Sequence, residues 1–240
     1  MLLVGLSVML YPIVSDWWNS KVQTRAVENY NKIVAEMDDD TAEKLIQQAR
    51  DYNEKLFHTK SSIVNADTVE GYDDILNISD TGVMGYISIP FIKVELPIYH
   101  GTSEEVLNIA AGHLKGTSFP VGGTNTHAVI SAHRGLPSSK LFTDLDKLVV
   151  GDIFTINILG ESYTYEVEEI LIIKPDEIDK LEIIPNGDYV TLMTCTPYGV
   201  NTHRLLLRSH RIETQQEYDA RVPADATQVD PMLAVPAIAL

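Results

Sequence analysis

The 240-residue chain has a single cysteine, Cys195, and therefore no intramolecular disulfide. If the protein is exported, its fold stands without covalent staples, and a thiol kept free there is kept for chemistry. Basic charge is scarce as well: 18 Lys and Arg stand against 34 Asp and Glu, a formal net charge of −16. Phosphate backbones are bound by concentrated Lys and Arg, so nucleic acid is not an expected partner. No HxH or HxxxH pair and no second cysteine supply zinc-ligand spacing. His127 and His133 would stand about 20 Å apart in one strand, too far to share an ion. No glycine loop of the phosphate-cradling kind occurs, so neither metal nor cofactor is expected. Nothing repeats at a fixed period, which argues against a solenoid or propeller.

What is present from 82 to 213 is a series of short β-rich runs. They are Met84–Ile89, Val94–Ile98, Ala128–Ser131, Ile153–Leu159, Ser162–Ile173, Tyr189–Thr194 and Arg204–Ser209, separated by turn residues such as Gly122-Gly123, Gly151-Asp152 and Asn186-Gly187. The spacing predicts a mainly β domain, an antiparallel barrel or sandwich, with short helices at Ser103–Leu107 and Lys140–Leu145. Before it, residues 21–57 carry a helical pattern interrupted at Asp38-Asp39-Asp40-Thr41, where Asp40 or Thr41 is the expected N-cap of a second helix. Residues 58–81 read as a linker or a lid crossing the main domain, with Phe57, His58 and Tyr72 as the side chains best able to plug a groove.

Long apolar runs are also missing, but both ends approach one. Met1 to Val14 carry no charge, yet fall short of the roughly 20 residues that cross a bilayer. Trp17 and Trp18 follow where an interfacial anchor would sit. Residues 1–20 are therefore expected to be the outer end of a membrane helix. Residues 214–240 lead to an apolar end, Met232 to Leu240, expected to begin a second anchor.

The lone cysteine closes the strand Tyr189–Thr194, and Thr196-Pro197-Tyr198-Gly199 turns the chain after it. The next strand opens at Arg204, so a loop between the two brings Arg204 back beside Cys195. A thiol is nucleophilic as thiolate, which a nearby cation favours. A guanidinium can also hold a developing oxyanion. His133 ends the strand Ala128–Ser131 and is a candidate general acid and base.

These residues resemble a family. Thr191-Leu192-Met193-Thr194-Cys195 resembles the TLxTC signature of sortases, the membrane-anchored cysteine transpeptidases of Gram-positive bacteria. The run from Thr196 to Arg204, the segment Ala111 to Pro120, Thr126 to Leu136, and Leu141 to Leu148 with Gly151-Asp152 resemble the class C, pilin-polymerising members. The resemblance implies an eight-stranded sortase-type β-barrel with N-terminal helices, between truncated membrane-anchoring ends. It implies Cys195 as nucleophile, His133 as general acid and base, and Arg204 as oxyanion and substrate holder, with Thr194, Ala132 and Leu192 at the substrate-binding positions. The implied substrate is an LPXTG-like sorting signal, cleaved between Thr and Gly. A lysine of a pilin subunit then takes the acyl group, on the outer face of the cell membrane. One departure concerns the lid. Many class C members carry an Asp-Pro-aromatic motif before the barrel, whereas this chain has Phe57-His58-Thr59-Lys60, and its Asp-Pro pair is Asp230-Pro231. Anchoring to cell-wall peptide, hydrolysis, and a non-catalytic membrane-tethered β module are the alternatives.

Overall fold

The computed structural model describes residues 2–59, 62–79 and 81–213; the expected C-terminal segment at 214–240 lies outside them. Two helices lead into the barrel, α1 (Leu2–Ala35) and α2 (Asp39–Phe57). The break between them follows from a cap two or three residues earlier than expected. Asp38, not Asp40 or Thr41, is the N-cap, its carboxylate accepting from Thr41 N at 2.9 Å and from the Thr41 hydroxyl at 2.8 Å. Asp39 and Asp40 then occupy the first turn, where the helix dipole favours negative charge. Ile46, Ala49, Tyr52 and Leu56 of α2 are buried against the barrel. Buried Asn53 clips α2 to residue 119, donating to Phe119 O at 2.9 Å and accepting from its N–H at 2.7 Å. Among the described residues, no helix is long and apolar enough to cross a membrane.

Eight strands close the barrel: β1 (Val83–Ile89), β2 (Val94–His100), β3 (Ala111–His113), β4 (Thr126–Ser131), β5 (Ile153–Ile158), β6 (Glu161–Ile173), β7 (Asp188–Thr196) and β8 (His203–Ile212). Their order around it is β1-β2-β3-β4-β7-β8-β6-β5. The pairs β2–β3 and β4–β7 are parallel and the other neighbours antiparallel, so the barrel is mixed where pattern alone predicted antiparallel. β3 escaped the pattern because Ala-Gly-His carries no β-branched residue. A short helix α3 (Glu104–Leu107) forms where expected, capped by Ser103. Residues 140–145 do not form the other: Phe142 N donates to His133 O and Thr143 N to Lys140 O, and a 3-10 turn follows at Leu145–Lys147.

Alternation along the strands sorts the side chains into two apolar sets. Ala128, Ile130, Leu192, Leu205 and Leu207 point into the barrel core with Met84, Ile87 and Phe154. Val129 and Leu206 form a second cluster with Ile173 and Leu181, on the outer face. Ile63, Leu114, Leu171 and Met193 pack against that cluster. β4 is therefore buried on both faces, its polar Thr126, His127 and Ser131 included.

Candidate active site

The site grows from that outer face. Cys195, the free cysteine, is half-buried near the end of β7. Its register partner on β8 is Arg204, so the two Cα atoms lie about 5 Å apart with both side chains on one face. β4 runs parallel to β7 on the other side, Ser131 opposite Met193. The alignment continues past the end of β4: Ala132 N donates to Met193 O at 3.2 Å, and Thr194 Oγ1 donates to Ala132 O at 2.8 Å. His133 is thereby set level with Cys195. Across three strands the outer face carries the row His133, Cys195, Arg204, and one step inward along the strands the row Ser131, Met193, Leu206.

No hydrogen bond joins the three side chains of the row among the described residues. Arg204 instead turns its Nη1 toward the carbonyls of Asn201 at 3.3 Å and His203 at 3.2 Å. Such contacts are commonly loose before substrate arrives. The loops behind the row meet closely. Gly135, with φ of 78°, backs onto the Tyr198 ring, where a Cβ would stand 2.9 Å from a ring carbon. The Arg134 guanidinium lies 5.9 Å from the centre of the same ring. The loop after the histidine therefore buttresses the loop after the cysteine.

Burial lowers the His133 pKa from its ordinary value, and the Glu104 carboxylate at the start of α3 opposes that effect. Removing the negative charge leaves burial unopposed. In Glu104→Gln the imidazole is accordingly expected to titrate at lower pH, read from the pH midpoint of its ring-proton resonance. An unmoved midpoint would separate Glu104 from the site.

Alternation turns the side chains of the expected substrate-binding trio inward. Because Cys195 faces outward, Thr194 and Leu192 face inward; they are 1% and 0% exposed, and Ala132 is 2% exposed. Their side chains fill the core and cannot meet a peptide on the outer face. Met193 and the largely buried Ser131 are the neighbours that face outward, as counting by twos from Cys195 and His133 shows.

The expected plugging residues are also displaced. Phe57 and His58 line an open cleft of about 440 Å³ with Gly122 and Thr126, at the start of β4. That cleft is about 23 Å along β4 from His133 at about 3.3 Å per residue. Tyr72 is buried beneath the segment, its hydroxyl 2.9 Å from His113 Nδ1, donating to His113 O at 3.0 Å and accepting from Gly101 N at 2.9 Å. It pins the segment rather than plugging a groove. The part of 58–81 that reaches the outer face is Ile63, packed against the Val129 and Leu206 cluster, with Ser62 O so close to Gly116 that a Cβ there would meet it at 2.6 Å. Among the described residues, no group of three or more His, Cys, Asp or Glu could hold a metal ion.

A closed eight-stranded barrel carries a half-buried row of cysteine, histidine and arginine on parallel and antiparallel neighbours, the residue types that a thiol-dependent acyl transfer requires. The family model described as the sortase domain matches residues 87–212, and the chain belongs to the sortase family. Sortase C1 of Streptococcus agalactiae is 50% identical, with a TM-score of 0.72 over 79% of this chain and 99% of that one. The sortase C of Clostridium perfringens, solved with the C-terminal cell wall sorting motif, is 45% identical, with a TM-score of 0.71 over 80% of this chain and 100% of that one. Sortase A of Streptococcus agalactiae serotype III (strain NEM316) is 32% identical over 117 residues, 48% of this chain and 47% of that protein. The chain spans about half the length of the curated relatives first matched.

Proposed function

We propose that this protein is a class C sortase that polymerises pilins, with Cys195 as nucleophile, His133 as general acid and base, and Arg204 as oxyanion and substrate holder. The observation carrying the reading is the shared outer row: Arg204 in register with Cys195, and His133 level with it across β4. The likeness to a sortase C solved with its sorting motif supports an LPXTG-like substrate.

In the first half-reaction the Cys195 thiolate adds to the threonine carbonyl carbon of the sorting signal. The oxygen gains negative charge, which the Arg204 guanidinium balances once its Nη1 leaves the carbonyls of Asn201 and His203. The C–N bond to glycine then breaks, His133 gives its proton to the departing amine, and a thioacyl enzyme remains. In the second half a lysine amine of the next pilin subunit attacks that thioester, His133 takes the proton released, and the thiolate leaves. The product is an isopeptide bond. Two acyl transfers replace one direct amide exchange, so each needs only a leaving group the site can stabilise. The exposed apolar stretch Met9 to Val14, followed by Trp17 and Trp18, supports attachment to the outer face of a Gram-positive cell membrane.

The test incubates the enzyme with an LPXTG peptide and a pilin. A peptide acyl group captured on Cys195 by mass spectrometry, together with SDS-resistant pilin ladders, is the expected result. An acylated enzyme that consumes monomer without ladders would favour anchoring to wall peptide. A Cys195 never acylated would refute the reading.

A further inference from the structure

The stripe by which α1 meets the barrel changes character along its length. Toward its C-terminal end it is apolar: Val27 and Tyr30 are buried, with the Tyr30 hydroxyl donating to Met84 O at 3.0 Å. Continuing toward the N-terminus at helical steps of three and four, the same stripe carries Gln23, Asn19 and Asp16. All three bond a single segment. Gln23 Nε2 donates to the Ser139 hydroxyl at 3.0 Å, and also to Ile109 O at 2.8 Å. Asn19 Nδ2 donates to Ser138 O at 2.7 Å. Asp16 Oδ1 accepts from Lys140 N at 2.7 Å. Three consecutive residues are thus each held by a different side chain of one helix.

Residues 138–140 form the tip of an excursion that leaves the end of β4 at His133 and returns at Phe142, whose N–H donates to His133 O at 3.1 Å. Near its root, Gly135 N donates to Thr143 Oγ1 at 3.2 Å, and Arg134 pairs with Asp146. Inside it, Leu136 bridges to Ser139. His133 therefore stands where a nearly closed loop joins the sheet, and the far side of that loop is clamped to α1. An apolar contact would tolerate sliding. Directional bonds to a backbone carbonyl, a hydroxyl and a backbone amide fix position along and around the helix.

We propose that Asp16, Asn19 and Gln23 are positioning residues that hold the His133 imidazole in the row with Cys195 and Arg204 by clamping the loop it roots. This rests on the reading of His133 as general acid and base. The clamp lies immediately beyond the exposed apolar stretch of α1, so whatever fixes that end of the helix also fixes the histidine. The charged or titratable groups around His133 are Cys195 on β7, Arg204 on β8, Glu104 on α3 and Arg134 next in the chain.

The test uses the full chain with Gln23→Met, which keeps the buried stem and removes the donor, with Asn19→Ala at a half-buried site, and with both combined. In the combined variant kcat on a fluorogenic LPXTG peptide is expected to fall about tenfold with KM within about twofold, because binding on the outer face is untouched while the proton shuttle loses its place. Asn19→Ala alone should fall about threefold. A loosened imidazole also gains water, so its ring-proton resonance should titrate at higher pH than in the parent. Val27→Ala, on the apolar part of the same stripe, supplies a matched loss of melting temperature without touching the clamp. A combined variant with parental kcat and an unmoved His133 midpoint would overturn the proposal, and so would a Val27→Ala enzyme that loses kcat equally. His133→Ala is run beside them. If it retains parental turnover, the underlying assignment of the histidine falls; if it is inactive while the clamp variants are unaffected, only the clamp falls.

Discussion

Arg204→Lys is expected to lose roughly 10²- to 10³-fold in kcat, a deficit of the size seen when one preorganised oxyanion donor is removed. Cys195→Ala should show no thioacyl intermediate at all, since no other side chain in the outer row can form one. The arginine result is the more informative of the two. Its guanidinium now bonds the carbonyl of Asn201 in the loop that joins β7 to β8 and that of His203 at the start of β8, yet its Cα stands opposite that of Cys195. A planar fork can keep one edge on a loop carbonyl while turning the other to a tetrahedral oxygen. A lysine ammonium offers a point charge on a flexible stem, so it would keep the positive potential beside the sulfur and lose the fork. Single-turnover measurement of thioacyl formation separates the two contributions. Slow acylation with unimpaired alkylation of Cys195 by a small reagent means that charge was kept and oxyanion geometry lost. Acylation by Arg204→Lys at the parental rate would remove Arg204 from the chemistry.

That the sequence brings Cys195 and Arg204 together has a local cause. Cys195 and Arg204 are the two ends of one loop between strongly β-forming runs, and such a loop brings its ends together whatever the rest of the fold does. His133 depends on more, since β4 must lie beside β7 and in parallel. Nothing in the run Ala128 to Ser131 chooses that neighbour, and only the family resemblance placed the histidine there. The errors are equally physical. Thr194, Leu192 and Ala132 sit next to the reactive residues along the chain, but adjacency in a strand means opposite faces. Asp38 competes with Asp40 and Thr41 for one helix start, and it wins by reaching both the backbone and the hydroxyl of Thr41. In residues 58–81 no periodicity exists to orient a side chain, so nothing in the sequence separates Tyr72, which turns under the segment, from Ile63, which reaches the outer face. The clamp on the histidine loop is hidden for a related reason: the contacts join Asp16, Asn19 and Gln23 to residues more than a hundred positions away.

Acid is expected to destabilise this fold steeply below pH 6.5, through two histidines that play no part in the proposed chemistry. His113 is fully buried in a stack with Tyr72 and Phe119. Its Nε2 lies 2.8 Å from Ser118 O, and a carbonyl can only accept, so Nε2 carries the proton and Nδ1, 2.9 Å from the Tyr72 hydroxyl, is unprotonated. A second proton would place a cation among aromatic rings, and burial accordingly lowers its pKa to about 3. His127 is held between Glu182 O at 2.8 Å and the Thr191 hydroxyl at 2.7 Å, and burial lowers its pKa to about 4. In the unfolded chain both titrate near 6.5, so below that pH the unfolded state binds protons that the folded state refuses. Their contribution is complete above about 6.5 and is lost as pH falls toward 4 for His127 and 3 for His113. At about 1.4 kcal/mol per unit of depression, each costs roughly 3 kcal/mol by pH 4. In His113→Gln the amide can still donate to Ser118 O but cannot titrate. That variant should be less stable than its parent at pH 7, where ring stacking is lost, and its melting temperature should fall less between pH 6.5 and 4. Parallel melting curves for parent and variant across that range would mean the fold accommodates a charged His113, and the stack around Tyr72 would not be the acid-sensitive joint.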